Sequence, residues 1–149
     1  MRRLLTDAHG LTRAVVVLQR EAALRLAGGG RFAASWAPWF ELHAGGRVPA
    51  RAFRPVPSVD SAILTIVPRP IPLLSPAAYP GYDRFLESVF TGHGNTLAQR
   101  LGVRPRELAL LGLPRDATPG AIDPEIYARV FTHVVASRLS TCRTGKGSS

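Results

Sequence analysis

Apolar residues recur along this chain in two rhythms. Ala14-Val15-Val16-Val17-Leu18 is an unbroken, β-branched run, the pattern of a strand covered on both faces as in a parallel sheet. Gln19 to Leu26 then sets Ala22, Ala23 and Leu26 against Arg20, Glu21 and Arg25, which predicts a helix stopped by Gly28-Gly29-Gly30. A strand leading directly into a helix is half of a βαβ unit. Arg31 to Phe40 is ambiguous: Ala33, Ala34, Trp36 and Trp39 fit a short helix, but Pro38 interrupts it. Phe40 to Val48 alternates like a strand, with Gly45-Gly46 as a turn or bulge, and Pro49 to Pro57 is a loop rich in Pro and Arg. Ser61 to Val67 is apolar on both faces and predicts a central strand. Residues 2–9 read as the last turns of a helix capped by Gly10.

The second rhythm starts beyond Pro68 to Pro80, a stretch with five prolines that can continue neither a sheet nor a helix interior. Tyr82, Phe85, Leu86, Val89 and Phe90 then fall at helical spacing, Leu97 and Leu101 share a face, and Arg106 to Leu111 is a short helix after Pro105. Asp123-Pro124-Glu125 predicts the N-terminus of a last helix, with Asp as N-cap and an apolar stripe of Ile126, Tyr127, Val130, Phe131 and Val134. The expected organisation is α/β over 1–70, a Pro-rich linker over 71–80, a helical domain over 81–140 and a frayed tail over 141–149. Three strands alone leave a long apolar edge exposed, so the α/β part reads as incomplete.

Composition adds charge to this picture. Nineteen Lys and Arg against ten Asp and Glu give a net charge of +9, and Lys146 is the only lysine. Residues 1–70 carry ten basic and four acidic groups, and residues 71–149 nine and six. Arginine has the planar fork that suits phosphate, and such a balance on a chain without a signal-peptide core favours a polyanion, nucleic acid first, in the cytoplasm. A merely soluble basic domain fits the charge equally well. No apolar run approaches the roughly 20 residues of a membrane helix. The single cysteine, Cys142, excludes an internal disulfide framework and a Cys-based zinc site, and reads as inert.

The chemistry concentrates in Ala52 to Arg69. Phe53 lies between Arg51 and Arg54 and precedes Pro55 and Pro57, which hold a loop extended at little entropic cost. An aromatic face between phosphate binders suits an unstacked base, while a plug for the core beneath the loop is the other reading of Phe53. Asp60 suits capping this loop better than general-base chemistry. Trp36 and Trp39 read as core or interface residues. His9, His43, His93 and His133 have no metal-ligand spacing, so no metal is expected.

Three segments, in order over about residues 14–101, carry a resemblance. F-R-P-V-P-S-V-D-S-A resembles the F-x-P-x-P-x-V-x-S signature of the rRNA adenine N6-dimethyltransferases. V-V-V-L-Q-R-E-A-A-L-R-L-A-G is similar to their strand-helix segment upstream, and F-L-E-S-V-F-T-G-H-G-N-T-L-A-Q-R-L to a helix further on. Ser35 to Phe40, S-W-A-P-W-F, resembles the actinobacterial Erm branch, which modifies 23S rRNA and confers macrolide-type resistance, more than the KsgA branch. The resemblance implies a Rossmann-like core that binds S-adenosyl-L-methionine, a small all-α C-terminal domain, and methyl transfer to N6 of a flipped adenine in ribosomal RNA. It implies that Phe53 helps hold the target base and that Arg25 and Arg31 contact RNA; Arg51 and Arg54, flanking Phe53, join them as candidate RNA contacts on their charge and place in the loop.

The departures are as informative. The family's cofactor site needs a glycine-rich strand-turn-helix, an acidic residue after the second strand and an Asn-[Ile/Leu]-Pro-[Tyr/Phe] loop. Gly28-Gly29-Gly30 follows a helix and opens no predicted helix, and the sole asparagine, Asn95, precedes Thr96. Gly92-His93-Gly94-Asn95 stands where relatives often carry an Arg/Lys run, which weakens the RNA contact expected there. The chain therefore reads as the C-terminal half of a Rossmann-like methyltransferase core plus a small helical domain. No cofactor is expected to bind it alone, and a missing N-terminal half is its expected partner besides rRNA. The competing readings are a free-standing basic RNA-binding module without catalysis and an inactive remnant.

Overall fold

The computed structural model describes residues 11–144, with side chains through residue 137. The expectations for residues 2–9, Gly10 and Cys142 lie outside the described residues or side chains. The first half contains β1 (Ala14–Gln19), α1 (Arg20–Gly28), α2 (Gly30–Trp36), β2 (Phe40–Val48) and β3 (Ser61–Pro68). The second contains α3 (Tyr79–Thr91), α4 (Leu97–Leu101), α5 (Pro105–Ala109) and α6 (Ile126–Thr144). The fold is thus mixed α/β.

The three strands form one antiparallel sheet in the order β1-β3-β2, so the segment predicted as central is central. Ala14, Val16 and Leu18 stand opposite Ile66, Leu64 and Ala62, and this face carries the core. The other face holds Val15 and Val17, 60% and 49% exposed. The expected parallel partner of β1 is corrected here: its described neighbour, β3, is antiparallel. A continuous apolar run reports the chemistry of a strand's two faces and leaves the sense of its pairing open. In β2 the register slips between Ala44 and Arg47, which makes Gly45-Gly46 a bulge.

The glycine triplet does open a helix, contrary to expectation. Gly29 and Gly30 take φ values of 147° and 74°, and this left-handed geometry turns α1 directly into α2. That helix resolves the ambiguity over Arg31–Phe40, ending at Trp36 ahead of Pro38.

The apolar core runs unbroken from Ala23 and Leu64 through Tyr82, Leu86 and Leu97 to Val130 and Val134. Trp36 stacks on Tyr79 with ring centroids 5.6 Å apart, and Phe85 meets Phe131 at 5.5 Å. The buried Tyr82 hydroxyl donates to the Ala34 carbonyl at 2.9 Å, and burial raises its pKa far above the ordinary phenol value. The proline-rich segment is fastened to the sheet side: Leu73 N–H donates to the Pro38 carbonyl at 2.8 Å, and the Trp39 indole to Leu74 at 2.9 Å. Arg69 acts as a rivet. Its guanidinium, 12% exposed, donates from Nε to the Ala37 carbonyl at 2.7 Å, meets Glu41 at 3.3 Å and pairs with Glu125 at the head of α6.

Two helix starts are capped by side chains, the first as predicted and the second by a box the sequence reading did not name. Before α6, Asp123 Oδ1 accepts from Glu125 N–H at 3.2 Å and its carbonyl from Ile126 N–H at 3.0 Å. Asp123 thus caps the start of this helix as the sequence predicts, and the regular turns begin at Ile126. α4 opens with a capping box of Thr96 and Gln99, whose side chain folds back over Gly94. A Cβ on Gly94 would lie 2.7 Å from Gln99 Cβ, so this turn is built on glycine.

Candidate nucleic-acid interface

Between β2 and β3 the chain makes a single 3-10 turn, Ala50–Ala52, closed by bonds from Ala52 N–H to the Pro49 carbonyl and from Phe53 N–H to the Ala50 carbonyl. Phe53 follows with extended backbone, half-buried, and belongs neither to the core nor to the apolar residues packed on it. Arg51 and Arg54 flank it in solvent. Val56 and Val59 are exposed on the same loop. Beside it, at the junction of β1 and α1, Gln19, Arg20, Glu21, Ser58 and Asp60 line a cleft of about 340 Å³.

Asp60 anchors this loop, as the sequence suggested. It accepts from Ala50 N–H at 2.9 Å and from Arg47 Nε at 2.7 Å, and these bonds, the backbone one foremost, hold its pKa below the ordinary 3.8. The ion pair occupies Arg47, a partner the sequence reading did not single out.

The structure brings Phe53, Arg51 and Arg54 together on one loop, and places Arg25 exposed in the last turn of α1. Among the described residues Arg25, Arg51 and Arg54 form no ion pair. Arg31 stands apart: it is half-buried and 3.7 Å from Asp83 on α3. Trp36 and Trp39 are core residues. Among the described residues no group of three His, Cys, Asp or Glu could hold a metal, and no helix is long and apolar enough to cross a membrane. The described residues do not fit a cradle for S-adenosylmethionine. Gln19 of β1 passes straight into Arg20 of α1 without a glycine turn, and the triplet joins two helices.

Residues 1–134 match the family Ribosomal RNA adenine dimethylase. Mycinamicin-resistance protein MyrB of Micromonospora griseorubida is 43% identical over 95 residues, 61% of this chain and 30% of that protein. An rRNA adenine N-6-methyltransferase of Corynebacterium diphtheriae is 38% identical over 102 residues, 66% of this chain and 40% of that protein. The crystal structure of the 23S rRNA methyltransferase ErmE superposes with a TM-score of 0.77 at 30% identity, covering 90% of this chain and 59% of that one. The chain thus spans about a third of the length of these curated relatives.

Proposed function

This chain belongs to the ribosomal RNA adenine dimethylase family, and from that premise we propose that it is the RNA-facing portion of an rRNA adenine N6-methyltransferase of the Erm type. In this reading the sheet and α1 form the C-terminal half of a Rossmann-like core, the helices from Tyr79 onward form the small all-α domain, and ribosomal RNA is the partner. S-adenosylmethionine is held by residues outside this sequence, so the chain alone presents RNA and does not transfer methyl groups. The observation that carries the reading is the loop itself: an aromatic outside the apolar core, between two arginines that form no ion pair among the described residues, on a proline-stiffened turn. Phe53 is assigned to stacking the target adenine, and Arg25, Arg51 and Arg54 to phosphates. Arg31 is assigned a lesser share, because Asp83 competes for it.

The test is binding to single-stranded rRNA fragments over a salt series. Phosphate contacts release counterions, so affinity is expected to fall steeply with salt. The triple variant Arg25→Ala, Arg51→Ala, Arg54→Ala is expected to lower the slope by about 2 to 3. Affinity that ignores salt contradicts the reading.

A second experiment separates the enzyme portion from a self-sufficient enzyme. Calorimetric titration of the chain with S-adenosylmethionine is expected to be flat, because no described strand-helix junction has a glycine turn. Micromolar binding overturns that assignment.

A further inference from the structure

Asp60 sits where the loop, β1 and β2 converge. Its Oδ1 accepts from Ala50 N–H at 2.9 Å, its Oδ2 accepts from Arg47 Nε at 2.7 Å and lies 2.5 Å from Nη2, and its main-chain carbonyl accepts from Arg20 N–H at 3.0 Å. Ala50 N–H is the first donor of the 3-10 turn, a group that such a turn cannot satisfy internally. The Ala50 carbonyl in turn receives Phe53 N–H at 3.1 Å. One continuous line of hydrogen bonds therefore runs from Arg47 through the Asp60 carboxylate and Ala50 to Phe53. Among the described residues no other side-chain hydrogen bond reaches residues 50–59. Apolar packing adds little, since Val56 is 64% exposed and Val59 45%.

We propose that Asp60 is a positioning residue for the target base: its carboxylate holds the Ala50–Ala52 turn so that the Phe53 ring stays presented to an unstacked adenine. It touches neither the base nor a reacting atom. A carboxylate fits this task because it accepts the turn's amide on one oxygen and a guanidinium on the other, and the guanidinium fixes its direction. Arg47 and Arg20 are the charged groups facing it. The inference rests on the base-stacking reading of Phe53.

The test uses the full chain and a single-stranded RNA decamer with 2-aminopurine at its centre. Stacking on Phe53 quenches that base's fluorescence, whereas anisotropy follows RNA binding as a whole. Asp60→Ala is expected to lose most of the quench and at least about fivefold in RNA affinity, the share that stacking supplies, while the salt dependence of binding is unchanged because the phosphate-binding arginines are untouched. Amide exchange at Ala50 and Phe53 is expected to rise at least tenfold, while Leu64 and Ile66 in β3 keep their protection. Asp60→Asn retains an acceptor for Ala50 and is expected to recover most of both signals; a purely electrostatic role gives no such rescue. If Asp60→Ala does not fold, Asp60→Glu, which displaces the oxygens by one methylene, is expected to lose the quench in the same way. A wild-type quench in Asp60→Ala or in Asp60→Glu overturns the inference. A wild-type chain that binds the RNA without quenching overturns instead the stacking role of Phe53.

Discussion

Arg69→Ala is expected to lower the stability of the chain by about 2–3 kcal/mol, or about 10 °C in melting midpoint. Its guanidinium is almost buried and fastens three separate pieces: the Ala37 carbonyl after α2, Glu41 at the start of β2 and Glu125 before α6. Removal leaves the Ala37 carbonyl without this donor and two carboxylates without their shared cation. Both carboxylates keep access to water, being 41% and 54% exposed, which holds the loss below that of a fully buried triad. Arg69→Lys is expected to recover little, since an ammonium cannot span three acceptors as a planar fork does. Glu125→Gln is expected to cost less than 1 kcal/mol. Thermal melts of the three variants check this, and an unchanged midpoint for Arg69→Ala refutes the rivet.

Phe53→Ala is expected to lower adenine methylation by about 10- to 100-fold once the upstream residues of a full-length relative are joined to this chain. A flipped base loses its stacking, and an aromatic face returns about 1–3 kcal/mol of it. Phe53→Leu separates this from packing. Leucine keeps most of the volume, so a packing role makes it nearly neutral. A stacking role makes it lose much of the activity at unchanged melting temperature and unchanged cofactor binding. Full methylation by the leucine variant returns Phe53 to packing.

Where the sequence announced an element, a periodic apolar signal did so. Ala62, Leu64 and Ile66 alternate with Ile63 and Thr65, and the strand they mark is the middle one. Tyr82, Phe85, Leu86 and Val89 mark the buried side of α3. Antiparallel pairing of β1 was not legible, because identical valines serve either sense. Gly28–Gly30 misled because glycine ends a helix and turns between two helices with the same freedom. The Thr96-x-x-Gln99 box was readable from its spacing and was missed there. In the site, the aromatic between two arginines and the capping role of Asp60 were visible. The engagement of Arg31 by Asp83, 52 positions later, was not, nor the reach of Arg69, just past β3, to Glu125. Those pairings depend on tertiary placement, which local pattern does not encode.

The bulge in β2 sets a phase. From Ala44 to Arg47 the strand advances three residues while β3 advances two, from Leu64 to Ala62. Everything after Gly46 is therefore displaced by one position from where plain alternation would put it. With these two glycines in the strand, Arg47 comes opposite Ala62, within reach of Asp60, because the bulge absorbs the extra residue. The two glycines thus work as a vernier: they bear no chemistry, yet if β2 paired without the bulge Arg47 would fall opposite Ser61, turn to the other side of the ribbon and leave the far end of the loop keyed to the wrong tooth.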